Sequence, residues 1–389
     1  MEQHAVLFTV FLIFTGAAAM ATLALYARQT LLIAYIVLGV LMGSSGLNLV
    51  GDPQQIEGIA HIGVIFLLFL LGLNLYPQKL VQLLRETMAV TVLTSGVFGL
   101  LGCAVAWTAG FAPAECVIVG VAMMFSSTIL GLKLLPTTVL HHRRTGEIII
   151  SILLLQDLLA IVALLVLTGT REGSVPVSEL VRLGLALPVL AAIAFLAERF
   201  LLQRLFQSFD RIQEYVFLLA LGWCLGMATL GYALGLSYEI GAFLAGVAVA
   251  ASPIARFIAE SLKPLRDFFL IMFFFAIGAG LDLSAAARVA LPAVALALIA
   301  LFVKPLVFKL ALTASAEVEA TAWEIGWRLG QMSEFSILIV FLARGTGAVS
   351  PEVSALVQFA TILTFIGSSY LIVFRYPTPI AVSERLRRD

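Results

Sequence analysis

Charge is scarce in this sequence. Asp, Glu, Lys and Arg make up 12% of its 389 residues, against 61% hydrophobic residues. With a mean hydropathy of +1.08, that composition excludes an ordinary water-soluble domain, where about a quarter of residues are charged. An excess of either sign is also missing, since 23 basic residues face 23 acidic ones, so neither a nucleic-acid-binding face nor an acidic tail is implied. Cysteines are few and form no CxxC; Cys103, Cys116 and Cys224 lie in apolar stretches and read as small packing residues. No phosphate-cradling or dinucleotide-binding glycine motif occurs, so any work must draw on ion gradients and no cofactor is expected. The N-terminus lacks the basic start of a signal peptide, carrying Glu2 instead, and reads as a retained first helix.

What is present is apolar sequence in lengths of about 20 residues, enough for an α-helix to cross the hydrocarbon core. Thirteen spans are predicted, over 5–25, 31–48, 56–75, 87–109, 113–134, 147–169, 178–200, 213–234, 237–253, 266–282, 286–311, 320–343 and 352–374. The fold class is therefore an all-α polytopic membrane protein embedded in the lipid bilayer, and an odd count puts the termini on opposite sides. Loops on one side carry Arg28, Lys79, Arg85, Lys133, Arg143, Arg144, Arg199, Arg204, Arg211, Arg256, Lys263, Arg266, Lys309 and the C-terminal Arg375, Arg385, Arg387 and Arg388; the other side has Arg171, Arg182, Arg288 and Arg344. Positive residues concentrate in cytoplasmic loops, so the N-terminus is expected outside and the C-terminus in the cytoplasm of a cell inner (plasma) membrane.

An internal repeat is visible. "AYIVLGVLMG" at 34–43 shares Tyr, Leu and Gly with "SYEIGAFLAG" at 237–246, and "GLNL" at 72–75 matches "GLDL" at 280–283. The matches keep their order and lie seven spans apart, so the second copy enters the membrane inverted. Residues 1–170 form the first six-span repeat, 171–212 a linker helix, 213–375 the inverted second repeat and 376–389 a cytoplasmic tail, within a single transmembrane domain. Inverted repeats of this kind place a transport site near the midplane, where discontinuous helices meet.

The fifth and twelfth spans occupy matching places in the two repeats, and each carries a mid-membrane polar cluster. One holds Ser126, Ser127 and Thr128; the other Gln331, Ser333, Glu334 and Ser336. Backbone unwound at such depth must line a cavity or meet polar partners. One span later, Asp157 is the only charge between Ile148 and Thr170, and a charge there costs about 2.5–3.5 kcal/mol on insertion scales. Lys304 is the one ammonium at comparable depth. Two readings stand: a buried Asp157–Lys304 pair that only holds helices together, or an exchangeable site in which Asp157 takes a proton or a cation. In the second, Gln156, Thr128 and carbonyls supply further oxygens and Lys304 fills in when no cation is bound.

These residues resemble a known family, the monovalent cation:proton antiporter superfamily, and specifically its Kef-type branch. "LLQDLLAI" is similar to that branch's Gln-Asp motif, "FSSTILGLKLL" to its broken-helix motif, and "LGQMSEFSILI" to its second crossing helix; "GLSYEIGAFLAGVAVAASP" and "PLRDFFLIMFFFAIGAGLDL" resemble its ninth and tenth helices. The resemblance covers nearly all the spans. It implies a homodimer exchanging potassium or sodium for protons by alternating access. It further implies that Asp157 is the cation and proton carboxylate, Gln156 its neighbour, Thr128 a ligand and Lys304 the ion-pairing lysine. Ser126 and Ser127 join these as cation- and proton-binding candidates, and Gln331, Asn74 and Glu334, which has no basic residue three or four positions away, are candidate cavity residues. Asn74 stands where the family has Glu. Kef transporters continue into a cytoplasmic nucleotide- and thiol-sensing domain, so a regulatory domain or subunit is an expected partner, absent from this chain. One-for-one, electroneutral exchange is expected because Gln156 is no second carboxylate beside Asp157.

Other polar residues have plainer readings: His61 as a packed histidine, His141 to Arg144 as a loop anchor, and Glu324 with Arg328 as a local i, i+4 pair. The rival functions are a monovalent cation channel or ligand-gated potassium efflux pathway, which needs no titrating carboxylate, and an intramembrane enzyme. The enzyme lacks its Ser/His dyad or paired aspartates, so no enzymatic activity is expected.

Overall fold

A computed structural model of the chain describes residues 2–27, 29–49, 53–73, 77–136, 144–169, 177–209, 212–236, 238–250, 252 and 254–378. Among them the extended regular elements are all helices, the form in which a segment satisfies its own backbone within hydrocarbon. Seven are long and apolar enough to cross a bilayer: Phe8–Tyr26, Thr87–Thr108, Pro113–Gly131, Leu185–Phe209, Gln213–Ala233, Ala290–Ala314 and Pro351–Arg375. Leu31–Met42 and Tyr238–Ala250 are shorter apolar helices.

Two irregularities depart from the expected pattern. The seventh predicted span runs past residue 200 through a π-turn, Glu198–Leu202, into Gln203–Phe209. In the eleventh, a π-turn at Ile299–Val303 precedes Lys304, whose N–H reaches back to Ile299 O. Such i→i+5 turns recur at functional sites, and here Pro305 follows, with no N–H to continue the ladder.

The chain divides into two compact units, one of residues 1–53, 83–163 and 274–389, the other of residues 54–82 and 164–273. Each draws on both halves of the sequence. In the first unit, a Cβ on Gly43 would fall on Ala279, and one on Gly39 on Phe275 O, so Leu31–Met42 lies backbone to backbone with the end of Lys263–Ala279. In the second, a Cβ on Gly246 would strike Phe69 O, and Trp223 Nε1 donates to Ala245 O at 3.1 Å. Small residues permit such approaches, and close packing rather than hydrophobicity holds helices together in lipid.

Pro351–Arg375 begins at Ser350, whose Oγ accepts the Val353 N–H, with proline at the first helical position. The buried face of this helix carries Thr361, Thr364 and Ser368 towards the interior of the first unit.

Candidate cation and proton site

Two helices of the first unit are broken where their polar clusters lie. The first crossing is Pro113–Met124 and Thr128–Lys133, separated by an extended segment beginning at Phe125. The second is Glu319–Arg328 and Glu334–Gly345, separated by residues 329–333. Each break frees carbonyls at the end of one half and N–H groups at the start of the next, and in a dry interior all need partners.

Side chains supply them. Gln156 serves the first break with both ends of its amide: Oε1 accepts the Ser126 N–H at 2.9 Å and Nε2 donates to Met124 O at 3.2 Å. Ser127 Oγ accepts the Leu130 N–H at 3.0 Å. Ser126 Oγ donates to Leu329 O across the crossing at 2.8 Å, and Gln331 Nε2 donates back to Ser127 O at 3.4 Å. In the second break, Thr364 Oγ1 accepts the Met332 N–H at 3.1 Å, Ser336 Oγ accepts the Ser333 N–H at 3.2 Å, and Ser368 Oγ donates to Gln331 Oε1 at 3.3 Å.

Lys304 corrects the expectation of an ion pair. Its fully buried Nζ donates to Phe125 O at 2.9 Å, Gln331 O at 3.1 Å and Ser126 Oγ at 3.4 Å, over the Phe98 ring at 4.8 Å. Among the described residues no salt bridge joins it to Asp157. The reason is electrostatic: carbonyls at helix C-termini carry partial negative charge, and two such ends meet at this crossing, so the ammonium neutralises both breaks at once. Gln156 and Ser126 likewise bond backbone groups of the breaks, and among the described residues neither side chain is hydrogen-bonded to Asp157.

Asp157 sits in a separate cluster. Only 2% exposed, its carboxylate accepts from Thr128 Oγ1 at 3.0 and 3.2 Å. Glu334, 7% exposed, accepts the Ile129 N–H with Oε1 at 3.3 Å. Consecutive residues of the first crossing thus hold two carboxylates, one from the helix Arg144–Gly169 and one from the second crossing. The predicted residues therefore divide: Asp157, Thr128 and Glu334 form an oxygen-rich cluster, while Gln156, Ser126, Lys304 and Gln331 clamp the crossing, with Ser127 capping the half-helix between them. Asn74, His141, His142 and Arg143 and the His61 side chain lie outside the described residues.

Thr364, Ser368 and Phe98 belong to the clamp and escaped the sequence reading. A polar stripe at 361, 364 and 368 is the available signal, but isolated hydroxyls in membrane helices usually bond their own backbone, as Thr361 does to Val357 O at 2.7 Å. Arg328 pairs with Glu324 at 2.9 Å as expected, and also donates to Leu134 O, at the end of the first crossing, at 3.0 Å. Cys116 and Cys224 are free and buried, and Cys103 is free and partly buried.

The model of the family described as sodium/hydrogen exchanger, transmembrane, matches residues 10–375. The "Putative K(+) efflux antiporter KefB" of Alkalimonas amylolytica is 30% identical over 347 residues, which cover 87% of this chain and 52% of that protein. The K(+) efflux antiporter 4 of Arabidopsis thaliana is 28% identical over 354 residues, covering 89% of this chain and 60% of its own length. The iron transporter MagA of Paramagnetospirillum magneticum is 27% identical over 349 residues, covering 88% and 79%. The chain thus spans between about half and four-fifths of the curated relatives it matches. Among solved structures, the sodium proton antiporter MjNhaP1 of Methanocaldococcus jannaschii aligns with a TM-score of 0.70 at 16% identity over 95% of each chain. Its structure at pH 8 gives 0.68 at 17% identity, over 95% of this chain and 96% of that one. The chain belongs to the sodium/hydrogen exchanger family.

Proposed function

We propose that this chain is a secondary active antiporter that exchanges a monovalent cation, potassium or sodium, for a proton by alternating access, one for one. One observation carries the reading: Asp157, buried at mid-helix, is met by one hydroxyl and by no fixed cation among the described residues. An ionised carboxylate so placed needs a neutralising partner. With Lys304 held elsewhere, a proton or a desolvated alkali cation can take that role in turn. Thr128 is its co-ligand; Gln156, Ser126, Ser127, Lys304 and Gln331 keep the crossing rigid around it.

The family membership and the antiporter names of the relatives support exchange, and nothing in them favours a channel. The thirteen-span, inverted-repeat architecture is part of the same proposal. Its support is that Gly43 and Gly246, equivalent in the repeat, both pack without room for a Cβ: Gly43 against the end of Lys263–Ala279, Gly246 against the end of Pro53–Leu73. Under an inverted repeat the two contacts join corresponding pairs of helices. Homodimerisation, a regulatory partner, the plasma membrane and an external N-terminus complete the proposal.

The test is Asp157→Asn, which keeps shape and removes the exchangeable charge. Reconstituted in liposomes, the parent chain is expected to move protons when potassium or sodium is added, with lithium as comparison. The variant should be silent with all three, and retained cation-dependent proton movement in it would refute the assignment.

A further inference from the structure

Glu334 has one oxygen too many for a structural cap. Its Oε1 accepts the Ile129 N–H, which ties the second crossing to the first, and the Ser127 and Ser333 hydroxyls also stand against the carboxylate. Its Oε2 is buried and has no hydrogen-bond partner, although buried polar atoms nearly always find one. The carboxylate sits beside the Asp157 cluster, since Glu334 is held by residue 129 and Asp157 by residue 128.

The obvious counter-ion is already used. An ammonium has three donors, and those of Lys304 meet three acceptors, Phe125 O, Gln331 O and Ser126 Oγ. Neither carboxylate has a salt-bridge partner among the described residues. A buried carboxylate oxygen without a partner, beside a second carboxylate and the hydroxyl that serves it, is the arrangement a dehydrated alkali cation requires, because hard cations take oxygen ligands and are sorted by ligand number, charge and cavity size. We propose that Glu334 is a direct cation ligand: it completes with Asp157 and Thr128 an oxygen shell spanning both crossings, and sets which alkali cation is preferred. The inference rests on the antiporter reading of the Asp157 site. It adds a residue from the second crossing, so the bound ion ties the two breaks together. It also keeps the count of charges sensible, because two carboxylates, one tethered ammonium and one bound monovalent cation sum to zero.

Two variants separate ligation from structure. Glu334→Gln retains a carbonyl oxygen for the Ile129 N–H and removes the charge; Glu334→Asp keeps the charge and withdraws it by one methylene. Binding of ²²Na⁺ and of ⁸⁶Rb⁺, as a stand-in for potassium, is measured on the purified 389-residue chain in detergent, with its melting temperature. Glu334→Gln is expected to weaken binding by about tenfold or more, as loss of one charged ligand should, at an unchanged cation-free melting temperature. Glu334→Asp should alter the ratio of sodium to rubidium affinities. Parental affinity in Glu334→Gln overturns the proposal; should that variant not fold, a parental ratio in Glu334→Asp does so. Parental binding by Asp157→Asn would instead show that the antiporter site itself is misplaced, while lost binding there with unaffected Glu334 variants defeats only the role of Glu334.

Discussion

Lys304 and Asp157 are both charged groups deep in the first unit, and opposite charges in a dry interior attract strongly. They nevertheless have different partners, because an ammonium needs three acceptors and a carboxylate offers it two at most, whereas the meeting of two broken helices offers three oxygens in one place. Lys304→Met should therefore act through the backbone. It leaves Phe125 O and Gln331 O without this donor, at about 1–3 kcal/mol for each buried acceptor orphaned, and the expected result is a clear fall in melting temperature in detergent, with exchange lost as the crossing loosens. An undiminished melting temperature would contradict the clamp. Thr128 has the opposite character, contributing a hydroxyl to Asp157 and none to the backbone of the breaks. Thr128→Ala is expected to raise the apparent KM for the cation by about tenfold or less, equivalent to about 1.4 kcal/mol, with a near-parental melting temperature. A stability loss as large as that of Lys304→Met would move Thr128 into the clamp.

At the scale of elements, the clamp depends on how closely Lys304–Ala314 approaches Glu319–Arg328. A Cβ on Gly326 would lie 2.5 Å from Pro305 O, next to Lys304 itself. Gly326→Ala should force the helices apart at about 1–3 kcal/mol, the usual range for overpacking, lowering both melting temperature and transport. Gly96→Ala is the control, since nothing lies within 4 Å of its added Cβ, and its stability should be unchanged or slightly raised. A Gly326→Ala protein that behaves like Gly96→Ala would argue against the close crossing. The existence of the breaks was legible in the sequence, because "FSST" and "QMSEFS" put hydroxyls and amides where apolar side chains would otherwise continue. Their partners were not. Gln156 adjoins Asp157 in sequence and reads as its co-ligand, yet successive residues on a helix point about 100° apart, and its amide meets an N–H and a C=O of the same broken segment together. Glu334 was visible as a cavity candidate, but its nearness to Asp157 arises from the crossing of two segments that meet at Ile129 and Glu334, 205 residues apart, which local spacing cannot express.

At the scale of the whole molecule, the charges that move in each cycle decide whether membrane voltage drives exchange. If Asp157 holds a proton in one half-cycle and one monovalent cation in the other, both loaded states carry the same charge and no net charge crosses. Lys304 could break this by giving up a proton whenever the cation arrives. All three of its N–H groups are used as donors within the clamp, so deprotonation would orphan one of the oxygens that hold the breaks together. Glu334 is the remaining way to a second proton. The sequence argument for electroneutrality, that Gln156 replaces a second carboxylate, is weakened by finding one in Glu334; the balance survives because Glu334 and Lys304 offset each other in both half-cycles. The expected outcome is that proton flux in liposomes, with sodium as the transported cation and a potential imposed through valinomycin, changes little with voltage. Were Glu334 to carry its own proton each turn, two protons would move per cation and the net charge would couple to the potential at about 2.3 kcal/mol per 100 mV. A steep voltage dependence that vanishes in Glu334→Gln would identify that second proton and overturn one-for-one exchange.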